Sequence, residues 1–127
     1  MKAVILAGGK GSRLGEGAPP KPLVEIGSKP VLWHVMSILA SAGIQDIVVA
    51  LGHRADDVRH YLQSAARQTE HGNELHVFNN GIHNWAARLV NTGENTATGG
   101  RIYRLRDHLA GERFLLSWTD GLTNADI

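Results

Sequence analysis

Four short apolar runs punctuate the chain: Ala3-Val4-Ile5-Leu6-Ala7, Ile47-Val48-Val49-Ala50-Leu51, Leu75-His76-Val77-Phe78 and Phe114-Leu115-Leu116-Ser117. The first two are continuous rather than alternating, the pattern of strands covered on both faces. Strands are therefore expected over 2–7, 47–51, 75–78 and 114–117. Between them the apolar spacing becomes helical. Val31, Leu32, Val35, Met36 and Leu39 line one face of a helix that Pro30 would open as its first residue and Gly43 would end. Val58, Tyr61, Leu62 and Ala65 mark a second helix over about 54–67. Ile102, Leu105 and Leu109 mark a third, over about 99–109, begun by a Thr98-Gly99-Gly100 turn. Asn79 to Asn95 reads as a polar loop enclosing Trp85.

Repeated βα units imply a parallel sheet with helices on both faces. The expected class is α/β: a Rossmann-like, three-layer αβα arrangement with a mostly parallel sheet. In such sheets ligands bind beyond the carboxyl ends of the strands. The loop after the first strand (8–14) and the end of the last (118–121) both fall at that edge, which puts Arg13 and Asp120 on one side of the sheet.

Composition narrows the reading. A chain of 127 residues, 43% hydrophobic and 20% charged, is sized for one soluble globular domain with a small core. A net charge of +1 suggests neither a nucleic-acid nor a membrane partner. The absence of cysteine excludes disulfides, a thiol nucleophile and cysteine metal sites. The run at 3–7 is too short for a signal-peptide core and no stretch could span a bilayer, so a cytoplasmic location is expected. Seven histidines (34, 53, 60, 71, 76, 83 and 108) form neither H-x₃-H nor H-E-x-x-H, which argues against zinc.

The candidate chemistry begins where the first strand ends. Gly8, Gly9 and Gly11 follow at once, with Lys10, Ser12 and Arg13 among them. Glycine leaves backbone amides open to close approach, and successive amides in such a turn cradle anions. Arg13 can fork onto phosphate oxygens, and Lys10 and Lys21 add point charges. Pro20 and Pro22 bracket Lys21 and restrict the backbone on both sides of it. No G-x-x-x-x-G-K-[ST] run exists, and Leu14 stands where a dinucleotide fingerprint needs its third glycine, so this is a different polyphosphate loop.

Two further segments carry candidate chemistry. Asp120, just after a buried strand and before Gly121, is placed either to bind a divalent cation or only to close a strand-end turn. In Thr96-Ala97-Thr98-Gly99-Gly100-Arg101 the glycines would let a flat base lie against the backbone; the alternative is that Thr98 serves simply as a helix cap. Arg101 could contact a triphosphate or stabilise the loop. Trp33, His34, Trp85 and Trp118 read as packing residues.

L-A-G-G-K-G-S-R-L, K-P-L-V-E-I-G-S-K-P and V-N-T-G followed by T-A-T-G-G-R together resemble the signature of the sugar-phosphate nucleotidyltransferases. Within that family, the chain is most similar to the glucose-1-phosphate cytidylyltransferases. The resemblance covers the whole chain and is strongest over 1–54 and 90–127. It implies the N-terminal half of a nucleotidyltransferase fold, with residues 1–127 as its nucleotide-binding half. It implies CTP and glucose 1-phosphate as partners and Mg²⁺ as cofactor. By the same resemblance Arg13 and Lys21 would be catalytic, and Asp120 would hold the metal. Leu6, Ala7, Gly8, Gly9, Gly11, Ser12, Glu25, Thr98, Gly99, Gly100 and Arg101 would contact substrate. The alternative for Glu25 is that it only anchors its loop.

The chain departs from the family pattern at Thr119, where a glycine is usual, and at Asn91, where aspartate is commoner. Family members are longer, and their C-terminal half supplies most of the sugar site and a second metal-binding acid. The alternatives are another sugar-1-phosphate nucleotidyltransferase, such as a mannose-1-phosphate guanylyltransferase, or a non-catalytic nucleotide-binding module. An unpaired sheet edge would favour a homo-oligomer.

Overall fold

Strand β1 (Lys2–Leu6) is buried beyond its first residue, and its two faces enter different cores. Ala3 and Ile5 belong to one cluster, Val4 and Leu6 to the other. Strand β4 (Asp46–Leu51) alternates the same way: Ile47, Val49 and Leu51 face the first cluster, Val48 and Ala50 the second. This is why neither run alternates in sequence, since each face needs apolar residues of its own. The computed structural model describes residues 1–7, 21–52, 54–70, 75–93, 98–109 and 113–118.

Helix α1 (Val31–Ser41) covers the first face with Leu32, Val35, Met36 and Leu39. Helix α2 (Ala55–Ala65) adds Val58 and Leu62 to the same cluster. Leu105 and Leu109 close the second face. The three layers and α/β class expected from the sequence are present. No helix among the described residues is long and apolar enough to cross a membrane.

The sheet itself differs from a purely parallel one. Two strands precede α1: β2 (Glu25–Ile26) and β3 (Lys29–Pro30) form a small antiparallel hairpin of their own. The main sheet adds β5 (Gln68–Glu70), β6 (Leu75–Asn79), β7 (Asn84–Asn91) and β8 (Phe114–Trp118), in the order β5-β6-β7-β4-β1-β8. Strands β7, β4, β1 and β8 run parallel, while β5 and β6 are antiparallel to their neighbours.

The segment expected to be a polar loop, 79–95, is the main correction. Residues 84–91 of it are β7, which lies beside β4 in the sheet. Trp85, Ala87 and Leu89 are buried and alternate with partly exposed Ala86, Arg88 and Val90. That is a period of two, carried by small alanines and flanked by asparagines, which disguised it. Only 80–83 turns. There Asn80 Oδ1 accepts from the amides of Ile82 (2.9 Å) and His83 (2.7 Å), and Gly81 takes φ +94°.

Two helix boundaries also move. Pro30 precedes α1 instead of opening it, because it pairs with Glu25 in β3. The helix expected over 99–109 is two short pieces, α3 (Thr98–Arg104) and α4 (Arg106–Leu109). Bonds from Leu105 N–H to the Ile102 carbonyl (3.0 Å) and from His108 N–H to the Leu105 carbonyl (2.9 Å) tighten the chain there. At the far end of α1, Gly43 with φ +91° closes the helix as expected, and the Ile44 amide reaches back to Leu39 (2.9 Å).

Candidate functional site

The four parallel strands end at one edge of the sheet, and Leu6, Ala7 and the end of β8 lie there. Leu6 and Ala7 are buried, and Ala7 N–H donates to the Ala50 carbonyl of β4 at 2.9 Å. On its other side, Leu6 is the register partner of Trp118 in β8. Gly8 lies two residues beyond Leu6, and Asp120 two residues beyond Trp118. The chain thus runs on toward Gly8 and toward Asp120 from adjacent strand ends. Gly8, Gly9, Gly11, Ser12, Arg13 and Asp120 themselves lie outside the described residues.

Lys21 begins a single 3-10 turn, Lys21–Leu23. Pro22 is buried and Leu23 packs on the main core, with the turn set against α1 and α2. The backbone on which Lys21 stands is therefore fixed by packing. Glu25 is exposed, and its backbone pairs with Pro30. Its charge adds to burial in raising the pKa of Tyr61 on α2, with burial the larger cause.

The other end of the site is built by β4, β7 and α3. Leu51 ends β4 and Asn91 ends β7, and they are register partners. The next residue, Thr92, is wholly buried. Its N–H and Oγ1 both donate to the Leu51 carbonyl, at 2.7 and 2.9 Å. Arg101, buried although charged, sends Nη1 to Thr92 Oγ1 (2.8 Å), the Gly93 carbonyl (2.9 Å) and the Leu51 carbonyl (3.4 Å). Arg104 Nη1 donates to the Thr92 carbonyl at 2.5 Å. Burial, and secondarily the charge of Arg104, lower the pKa of Arg101 from its ordinary value. A guanidinium remains protonated even so.

Of the two roles expected for Arg101, bracing is the one these contacts display. Gly99 and Gly100, just ahead of it in α3, are exposed. A Cβ on Gly99 would meet nothing within 4 Å, so packing within the chain does not demand a glycine there. Gly52 is the opposite case. A Cβ on it would overlap the Arg101 guanidinium and come within 2.8 Å of the Gly93 carbonyl oxygen.

Neither Gly52 nor Thr92 is among the residues expected to contact substrate, although Thr92 falls within the V-N-T-G run. The signal was present: a buried strand ending in Leu51-Gly52, and V-N-T-G before T-G-G-R. Asn91, at the position where aspartate is commoner in the family, accepts the Gly93 amide on Oδ1 at 3.0 Å. An open cleft of about 520 Å³ adjoins this corner, lined by Gly52, Asn91 and the first turn of α2. Arg54 stands at the mouth of α2 in the left-handed region (φ 54°), tied to Asp57 at 2.7 Å.

Of the expected packing residues, Trp33 and Trp85 pack on the first core, while the side chain of Trp118 lies outside the described residues. Trp85 is buried, stacked on Phe78 with centroids 5.7 Å apart and edge-on to Trp33 at 6.1 Å. His34 Nε2 shares a hydrogen bond with the Ile26 carbonyl at 2.8 Å. No group of three or more metal-binding side chains occurs among the described residues.

A mostly parallel sheet with helices on both faces, four of its strands ending at one edge, defines an α/β domain of the doubly wound class. The family follows from comparison: residues 3–95 match the MobA-like NTP transferase domain, and the chain belongs to that family. It is 38% identical to a glucose-1-phosphate cytidylyltransferase of Salmonella typhimurium, across the whole chain and 53% of that protein. A mannose-1-phosphate guanyltransferase of Schizosaccharomyces pombe is 50% identical, but over 44% of this chain and 16% of its own length. The crystal structure of HddC from Yersinia pseudotuberculosis complexed with GMP-PN superposes with a TM-score of 0.69 at 28% identity, covering 94% of this chain and 47% of that one. The chain spans about half the length of the relatives it matches from end to end.

Proposed function

We propose that this chain is the nucleotide-binding half of a glucose-1-phosphate cytidylyltransferase, which joins CTP and glucose 1-phosphate to give CDP-glucose and pyrophosphate. The observation that carries the reading is the pairing of Leu6 with Trp118, from which the phosphate loop and Asp120 both depart. The open space at Gly99 adds to it, since a flat base could lie there. The whole-chain likeness to the Salmonella enzyme favours cytosine and glucose.

In this mechanism a sugar-phosphate oxygen attacks the α-phosphorus of the triphosphate and pyrophosphate leaves, with no covalent enzyme intermediate. Catalysis is then positioning and charge neutralisation. Arg13 and the loop amides from Gly8 to Ser12 hold the β- and γ-phosphates and stabilise the leaving group. Lys21, on its fixed turn, offsets the repulsion between the two reacting phosphates. Leu6 and Ala7 set the floor of the loop, and Thr98 to Gly100 read the base. One carboxylate plus substrate phosphates is a donor set that suits Mg²⁺, so Asp120 would hold it. When bound, it supplies charge neutralisation at the α-phosphate.

A guanylyl-transferring relative is the second reading, favoured by the 50% identity to the guanyltransferase over part of the chain. The test is Mg²⁺-dependent pyrophosphate release by the purified chain, with glucose 1-phosphate and CTP, UTP, dTTP or GTP in parallel. Release with CTP alone supports the first reading, and release with GTP alone supports the second. Silence with all four, together with measurable CTP binding, would leave a nucleotide-binding module.

A further inference from the structure

The bonds around Thr92 tie three elements together at the edge where the base would be read. The Leu51 carbonyl of β4 accepts from Thr92 and from Arg101, and Arg104 closes on the Thr92 carbonyl. Arg101 has little exposed surface, and Nη1 is committed to Thr92 Oγ1 and the backbone. It stands one residue after Gly100 and two after Gly99 on α3. Wherever Arg101 is seated, those glycines are carried with it. Gly52 keeps the seat open, because any side chain there would occupy the guanidinium's volume.

We propose that Arg101 is a positioning residue: through Thr92 it locks α3 to the ends of β4 and β7, fixing where Gly99 and Gly100 face the base, without touching the nucleotide itself. This rests on the reading that Thr98 to Gly100 recognise the base. A direct-contact role and a positioning role differ in what Thr92 should do. Removing the Thr92 hydroxyl leaves the charge and length of Arg101 intact and takes away the shortest of its three Nη1 contacts, the others being the Gly93 and Leu51 carbonyls.

The experiment compares Arg101→Met, Thr92→Val and Thr92→Ser in the full chain, the last keeping the hydroxyl as a control. Melting curves establish that each variant folds. Amide exchange without nucleotide is read at Gly93 and at 102–104. Both Arg101→Met and Thr92→Val should speed exchange there about tenfold, as loss of a charge-assisted hydrogen bond implies, with β1 and β4 unchanged. Thr92→Ser should match the unaltered chain.

Calorimetry with CTP and UTP then reads function. Arg101→Met and Thr92→Val should weaken CTP binding by similar factors and narrow the CTP/UTP preference. CTP binding that is normal in Thr92→Val but weakened in Arg101→Met would overturn the proposal in favour of direct contact. If the unaltered chain binds neither nucleotide, the cytidylyltransferase reading fails. The exchange data still decide the lock, since unchanged protection in either variant overturns it.

Discussion

Gly52 and Arg101 occupy one volume between them. The position that a Cβ on Gly52 would take overlaps the Arg101 guanidinium, and the Gly93 carbonyl oxygen lies 2.8 Å from it. Glycine here serves a neighbour's side chain and not its own backbone, because its φ does not fall in the left-handed region that favours glycine. The charged residue and the missing side chain come from segments far apart in sequence, and the fold requires both.

Gly52→Ala should therefore destabilise the chain by about 2 kcal/mol, the cost of forcing extra volume into a filled site. Arg101→Ala frees part of that volume. The double variant should fall short of the summed losses by about 1 kcal/mol, the size of coupling seen between contacting residues. Urea unfolding of the four chains measures this, and strict additivity would show that the two positions do not share space.

Tyr61 provides a pH test. Its hydroxyl is buried with no hydrogen-bond partner among the described residues, and its pKa is raised above the ordinary 10.0 by burial and, less, by Glu25. A raised value means the folded chain holds the phenolic proton more tightly than the unfolded one. The contribution is complete below pH 10 and is lost as pH climbs through the folded-state value. Tyr61→Phe should change stability at neutral pH by less than about 1 kcal/mol, since it removes an unsatisfied group. Above the unfolded tyrosine value it should lose stability with pH less steeply than the unaltered chain. Parallel curves through that window would mean the hydroxyl is solvated.

The elements legible in the sequence were those with strong local signals. Strands β1 and β4 announced themselves because burial on both faces produces an uninterrupted apolar run. Helix α1 showed its stripe of Leu32, Val35, Met36 and Leu39, and Gly43 its end. Strand β7 did not stand out because Ala86 and Ala87 carry little hydropathy signal and asparagines bound the strand at both ends. The antiparallel placement of β5 and β6 depends on a hairpin at 80–83 that is visible only once β7 is recognised. At the site, the glycines and Arg101 could be read as residues. The burial of Arg101 on Thr92 could not, because it depends on α3 folding back across two strand ends.

Trp85 should prove the residue on which the first core most depends. It joins β7 to β6 through Phe78 and to α1 through Trp33. Trp85→Ala should cost about 3–5 kcal/mol, the range for truncating a large buried aromatic side chain. Trp85→Phe keeps an aromatic face for Phe78 and should cost less than half as much. The pair is compared by denaturant midpoint at constant slope, and equal losses would show that stacking on Phe78 contributes nothing.

The residues to which the proposed mechanism assigns the phosphates and the metal make the last prediction, and under that mechanism they should fail in distinguishable ways. Arg13→Ala removes a fork from the leaving phosphates, so it should cut turnover by about 10²–10³-fold, as loss of a preorganised charge partner does. Lys21→Ala should cut turnover similarly but spare CTP affinity more, because its charge acts between the reacting phosphates once both substrates are bound. The 3-10 turn is held by Pro22 and Leu23, so the melting temperature should not move. Asp120→Asn should instead raise the Mg²⁺ concentration needed for half-maximal rate. Pyrophosphate release against CTP and Mg²⁺ separates the three, with CTP dissociation constants as the readout if the chain alone does not turn over. A Lys21→Ala chain with normal rate would remove that residue from the mechanism, and an unchanged Mg²⁺ dependence in Asp120→Asn would move the metal elsewhere.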